Sequence, residues 1–123
     1  FKDAVMIDFS KVGGYHFNQD CLADSMLGKI IIYGRNATGK TNFGLAMLDI
    51  FGNFFETRAF RSPFLNVDSG EITALFRYEF EFDGKSVKYE YSKSNERILN
   101  TEKLEVEGKI IFQIDFESKS YDF

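Results

Sequence analysis

The stretch Ile30-Ile31-Ile32-Tyr33-Gly34-Arg35-Asn36-Ala37-Thr38-Gly39-Lys40-Thr41-Asn42-Phe43 decides how this chain is read. Its first four residues form an unbroken apolar run, the pattern of a strand covered on both faces of a sheet. A glycine-rich loop follows at once. Beyond the loop, Phe43, Ala46, Met47, Ile50, Phe51 and Phe54 recur at helical spacing. They form one apolar stripe and predict an α-helix from about Gly39 to about Phe55. Strand, glycine loop and helix in that order make the setting a phosphate-binding loop requires.

Gly34-x-x-x-x-Gly39-Lys40-Thr41 satisfies the pattern G-x-x-x-x-G-K-[ST] at every fixed position. The glycines permit backbone angles and a close approach that a Cβ would block. Successive N–H groups can then point inward as an anion nest, with the positive end of the helix dipole behind them. Lys40 suits the β- and γ-phosphate oxygens as a point charge, and the Thr41 hydroxyl suits Mg²⁺. The candidate nucleotide-binding residues are Gly34, Arg35, Asn36, Ala37, Thr38, Gly39, Lys40, Thr41 and Asn42, with Thr41 as the metal ligand. The expected ligand is ATP with Mg²⁺; the visible sequence lacks an Asn-Lys-x-Asp guanine reader. Arg35 reads either as a nucleotide or partner contact or as a solvated loop arginine. Asn36 suits a left-handed backbone or a bond within the loop.

Outward from the loop, Val5, Ile7 and Phe9 alternate, predicting a strand over residues 4 to 9. Gly13-Gly14 marks a turn, Tyr15 and Phe17 a second short strand, and residues 18 to 28 a loop. Residues 57 to 70, with Pro63, Ser69 and Gly70, read as a connection. Ala74, Phe76, Tyr78, Phe80 and Phe82 then share one strand face. Asp83-Gly84 is a hairpin turn signal, and Val87, Tyr89 and Tyr91 continue the alternation back. A second hairpin is expected from Leu104 and Val106 through Glu107-Gly108 to Ile110, Phe112, Ile114 and Phe116.

A triphosphatase also needs an acidic residue at the end of another buried strand to hold Mg²⁺ and place water. No catalytic residue is identifiable. Asp115 follows Ile114, but Gln113 interrupts the apolar run and the setting is a hairpin. Asp8 reads as an exposed strand residue. Glu79 and Glu81 lie on one strand face, where a solvated surface outweighs a catalytic carboxylate pair. The phosphate-binding half is present, and the chain is expected not to hydrolyse ATP by itself.

Composition narrows the class further. Charged residues make up 28% of the 123 and hydrophobic ones 44%, which suits a globular domain or a piece of one. Fifteen Phe in so short a chain imply surface that another segment covers. A net charge of −4 gives no basic field for nucleic acid, so DNA would have to meet parts of a larger protein. Cys21 is the single cysteine and His16 the single histidine. That excludes an internal disulfide, argues against zinc, and points to a reducing, cytoplasmic setting. Both read as packing residues. No apolar run reaches the roughly 20 residues needed to cross a bilayer.

The order of parts resembles the opening of ABC-class P-loop ATPases of the SMC and overcoming-lysogenization-defect (OLD) type. The features that carry the likeness are the strand pair from Val5 to Phe17 and residues 30 to 51, with Asn36 in the loop and Asn42 after the Lys-Thr pair. The resemblance implies an α/β fold: an ABC-ATPase-like N-terminal lobe with a mixed sheet, one P-loop helix and an antiparallel β-subdomain. Residues 1–123 would form a single partial domain, with strands, loop and helix in 1–56 and antiparallel hairpins in 71–117. It also implies a Q-loop, a signature motif, a Walker B pair and a switch His beyond this chain. Gln113 is a poor Q-loop candidate. Partners implied are ATP, the remainder of the ATPase and a second head, with a role in DNA repair or phage defence. Two other readings stand beside it: a P-loop kinase with Arg58 and Arg61 in a lid, and a non-catalytic nucleotide-dependent interaction module.

Overall fold

Two tight turns shape most of the molecule. Asp83-Gly84 and Glu107-Gly108 carry positive φ at both positions (50° and 71°, then 52° and 76°), the type I′ geometry whose twist matches the strands it joins. In the computed structural model, which describes residues 3–14, 19–23, 26–55, 73–94 and 99–122, these turns build a five-stranded antiparallel sheet. Its strands are β3 (Ala74–Phe82), β4 (Lys85–Lys93), β5 (Leu99–Val106), β6 (Lys109–Asp115) and β7 (Ser120–Asp122), paired in sequence order. Phe82 stands opposite Lys85 and Val106 opposite Lys109, so both turns close on two residues. Both expected hairpins are therefore present, and β7 is an addition to them.

The period-2 alternation decides which face packs. Tyr89 and Tyr91 of β4 are buried, with Phe76, Tyr78, Phe80, Leu99, Leu104 and Phe112 around them. Over this face lies helix α1 (Lys40–Phe54), one residue shorter at each end than its apolar stripe suggests. Phe54 stacks on Tyr89 with ring centroids 4.7 Å apart, and Ile50 completes the core. Of the stripe only Ile50 is buried; Phe51 and Phe54 remain more than half exposed. The buried helical face is instead Asp49, Ile50 and Gly52.

A polar cluster holds helix to sheet. Lys93 Nζ donates to both Asp49 carboxylate oxygens at 2.6 Å, and the Tyr91 hydroxyl donates to Asp49 Oδ2 at 2.6 Å. The Tyr78 hydroxyl donates to the Ala46 carbonyl at 2.7 Å. Burial pushes the Tyr78 phenol up to about 12, and burial next to the Glu102 and Asp49 carboxylates raises Tyr89 and Tyr91 as well. A phenol whose folded pKa is raised contributes stability that is full below the ordinary value of 10.0 and is lost as pH rises past it. Alkaline unfolding is thus expected to begin above about pH 10, with loss of β circular dichroism coinciding with tyrosinate absorbance. Complete tyrosine ionisation near pH 10 in a chain that keeps its dichroism would contradict this packing.

The N-terminal third differs from the sequence expectation. Residues 4 to 8 form no strand, and Val5, Met6 and Ile7 are exposed. Residues 30 to 33 form none either: Ile31 and Tyr33 are each 90% exposed. A strand exists through its ladder of hydrogen bonds, and no described strand pairs with either segment. Apolarity marks a capacity for burial; it does not supply the partner. The expected mixed sheet is accordingly absent among the described residues, where every pairing is antiparallel.

The expected loop at 18 to 28 contains a 3-10 turn (Gln19–Cys21) and a miniature hairpin of β1 (Leu22–Ala23) and β2 (Met26–Leu27). The Leu27 N–H ties this hairpin to the Phe9 carbonyl at 2.9 Å. Gly13 and Gly14 form the expected turn, with φ of 58° and 67°. Tyr15, His16, Phe17, the connection at 57 to 70 and its Arg58, Arg61 and Pro63 lie outside the described residues.

Candidate phosphate-binding loop

α1 begins where the chain must reverse direction. Gly39 precedes the helix at φ 88° and ψ 6°, a left-handed conformation that costs a residue with a Cβ about 1–2 kcal/mol. Ala37 also has positive φ, 61°. Between them the backbone curls from Gly34 into Lys40. A Cβ at Gly34 would meet Thr38 Oγ1 at 3.2 Å, so the curl closes tightly at this glycine.

Side chains of the loop reinforce the curl. Lys40 Nζ folds back to donate to the carbonyls of Gly34 at 2.8 Å and Arg35 at 2.6 Å. The Thr38 hydroxyl donates to the Arg35 carbonyl at 2.8 Å. The ammonium therefore lies at the start of the loop, still open to solvent. Asn36, Ala37, Thr38, Gly39, Lys40, Thr41 and Asn42 line an open concavity of about 740 Å³. Gly34 and Arg35 are not among its lining residues; their carbonyls accept from Lys40.

The helix N-terminus faces this concavity with its donors open. The first N–H groups of a helix have no intrahelical acceptor, and Gly39 supplies no side-chain cap. No acidic residue occupies the first turn of α1, so nothing there opposes an anion. A Cβ-free curl, a retained ammonium and uncapped helical donors are the donor set that suits a phosphate. Thr41, exposed on the first turn, offers the hydroxyl that suits Mg²⁺.

The carboxylates considered from sequence lie elsewhere in the fold. Asp115 Oδ1 accepts from the N–H groups of Glu117 at 2.9 Å and Ser118 at 3.0 Å, shaping the β6–β7 turn. The hydrogen bonds from Ser118, then that from Glu117, hold its carboxyl below the usual range. Asp8 accepts from the Ser10 hydroxyl at 2.6 Å and N–H at 3.0 Å, which lowers its pKa in the same way. Glu79 and Glu81 lie on the outer face of β3, where Glu79 stands opposite Lys88 and Arg77 pairs with Glu90 at 2.6 Å. With Lys103 and Glu105 they make a face of alternating sign, the pattern of a solvated sheet surface. Gln113 stands exposed on β6 opposite Lys103. Cys21 is half-buried.

The residues that sequence reasoning missed are Asp49, Lys93 and Tyr91. A lone Asp in the middle of an apolar helix was the available signal, since a buried charge requires a partner. No described helix is long and apolar enough to cross a membrane.

A glycine-rich loop running into a helix beside an antiparallel sheet accords with an AAA domain, the class that a family model assigns. Residues 29–120 match the family described as AAA domain, putative AbiEii toxin, Type IV TA system, and the chain belongs to that family. AAA-type ATPase domains generally use ATP and Mg²⁺. No curated protein and no solved structure matches the chain.

Proposed function

We propose that this chain is the nucleotide-binding portion of an ABC-type ATPase of the SMC/OLD kind, holding Mg·ATP on residues Gly34 to Asn42. The observation that carries the reading is the join of loop and helix. A left-handed Gly39 starts a helix with no side-chain cap, and the Lys40 ammonium folds back to the Gly34 carbonyl. The backbone N–H groups of the loop and first turn would hold the β-phosphate, Lys40 the β- and γ-oxygens, and the Thr41 hydroxyl the metal. When bound, Mg²⁺ supplies charge neutralisation between the phosphates.

What the chain's own residues do is bind and orient; hydrolysis falls to groups outside it. Asp8 and Asp115 are engaged in local turns, which supports a site completed by the remainder of the ATPase and a second head. The family takes its description from a putative toxin of a Type IV toxin–antitoxin system, which supports phage defence over DNA repair. The chain's negative charge fits DNA contact only through other parts. The kinase reading turns on Arg58 and Arg61, which lie outside the described residues.

Titration of a fluorescent ATP analogue with and without Mg²⁺ tests this proposal. Mg²⁺ is expected to tighten binding to the wild-type chain, and Thr41→Val is expected to lose most of that enhancement while retaining metal-free binding. A Thr41→Val chain with full Mg²⁺ enhancement would remove Thr41 from the metal site.

A further inference from the structure

The described polar ties between α1 and the sheet gather in one place. Asp49 is nine residues beyond Lys40, about 14 Å along the helix axis at the standard rise. Its side chain is 1% exposed and that of Lys93 is 3% exposed. Lys93 Nζ reaches both carboxylate oxygens, and the Tyr91 hydroxyl reaches one of them. One turn nearer the loop, Tyr78 donates to the Ala46 carbonyl. The Tyr78 and Tyr91 hydroxyls stand 3.2 Å apart. Each has a single proton; the charged carboxylate takes that of Tyr91 and the Ala46 carbonyl that of Tyr78.

Apolar packing alone would fix α1 poorly, because it is non-directional. A charge-assisted hydrogen bond is satisfied only over a few tenths of an ångström. Three such bonds converging on Asp49 from β4 set both the height and the rotation of α1 over the sheet. The phosphate loop is the N-terminal continuation of that helix, so its position is set with it.

We propose that Asp49, Lys93 and Tyr91 are positioning residues for the phosphate loop, coupling ligand binding at Gly34 to Asn42 with the packing of β4. The inference rests on the nucleotide-binding reading above. Coupling is reciprocal: a nucleotide that favours one helix position stabilises the cluster, and the cluster favours binding to the same extent.

The double variant Asp49→Leu/Lys93→Met tests this in the full chain. Removing both charges together replaces the pair with apolar side chains and leaves no uncompensated buried ion. Tyr91→Phe is the second variant, removing one hydrogen bond and keeping the ring. Mg·ATP affinity and hydrogen exchange at the amides of residues 87 to 93 are measured for each. In the wild type, Mg·ATP is expected to slow exchange on β4. The double variant is expected to bind roughly tenfold more weakly and to lose that response, with Tyr91→Phe falling between. A folded double variant with wild-type affinity and response overturns the proposal, and so does Tyr91→Phe with both unchanged. Wild-type binding without any β4 response overturns the coupling but leaves the binding reading intact. Absence of wild-type binding sinks both.

Discussion

Lys93→Met is expected to lower the stability of the folded chain by about 3–5 kcal/mol, a large part of what a domain of this size possesses. The substitution keeps most of the side-chain volume and removes the ammonium. It leaves the Asp49 carboxylate, 1% exposed, with the Tyr91 hydroxyl as its remaining donor in the described cluster. A buried ion without its counter-charge bears most of its desolvation penalty. Asp49→Leu in the same background removes that charge and is expected to restore much of the loss. The midpoint of urea unfolding, read with its slope, measures both variants. A loss below about 1 kcal/mol for Lys93→Met would mean that water reaches the carboxylate and that the pair behaves as a surface ion pair.

The same pair shows where sequence reading stops. The hairpins were legible because each turn carries its own instruction. Asp-Gly and Glu-Gly adopt two successive positive φ angles, and the alternation of Phe76, Tyr78, Tyr89 and Tyr91 leaves one face to bury. The loop was legible because its glycines and lysine stand at fixed spacing. Asp49 was not, because helical periodicity ranks residues by apolarity and assigns a carboxylate to solvent. Its burial depends on Lys93, 44 residues away, and no local pattern announces that contact.

Ile30 to Tyr33 show the converse: their apolar run predicts a strand that the structure does not form. Those side chains are largely exposed, since the ladder that makes a strand depends on a neighbour. The exposed Phe51, Phe54 and Phe55 of the helix end have the same character. The expectation from fifteen Phe that some apolar surface is left uncovered by the chain itself corresponds to these exposed side chains.

Lys40→Ala bears most directly on the central claim. Lys40 Nζ bonds to the Gly34 and Arg35 carbonyls, so the ammonium is already held at the loop and little ordering is required to meet a phosphate. Hydrogen bonds to charged groups contribute about 1.5–3 kcal/mol each. Losing the lysine is therefore expected to weaken binding by about 100-fold, or ~2.7 kcal/mol. The helix and sheet should persist, because no core contact involves this side chain. Calorimetric titration of Mg·ATP into the wild-type and Lys40→Ala chains, with circular dichroism confirming that both are folded, makes the measurement. The account expects saturable binding by the wild type and a loss of about two orders of magnitude in the variant. Equal affinity in the two chains would contradict it.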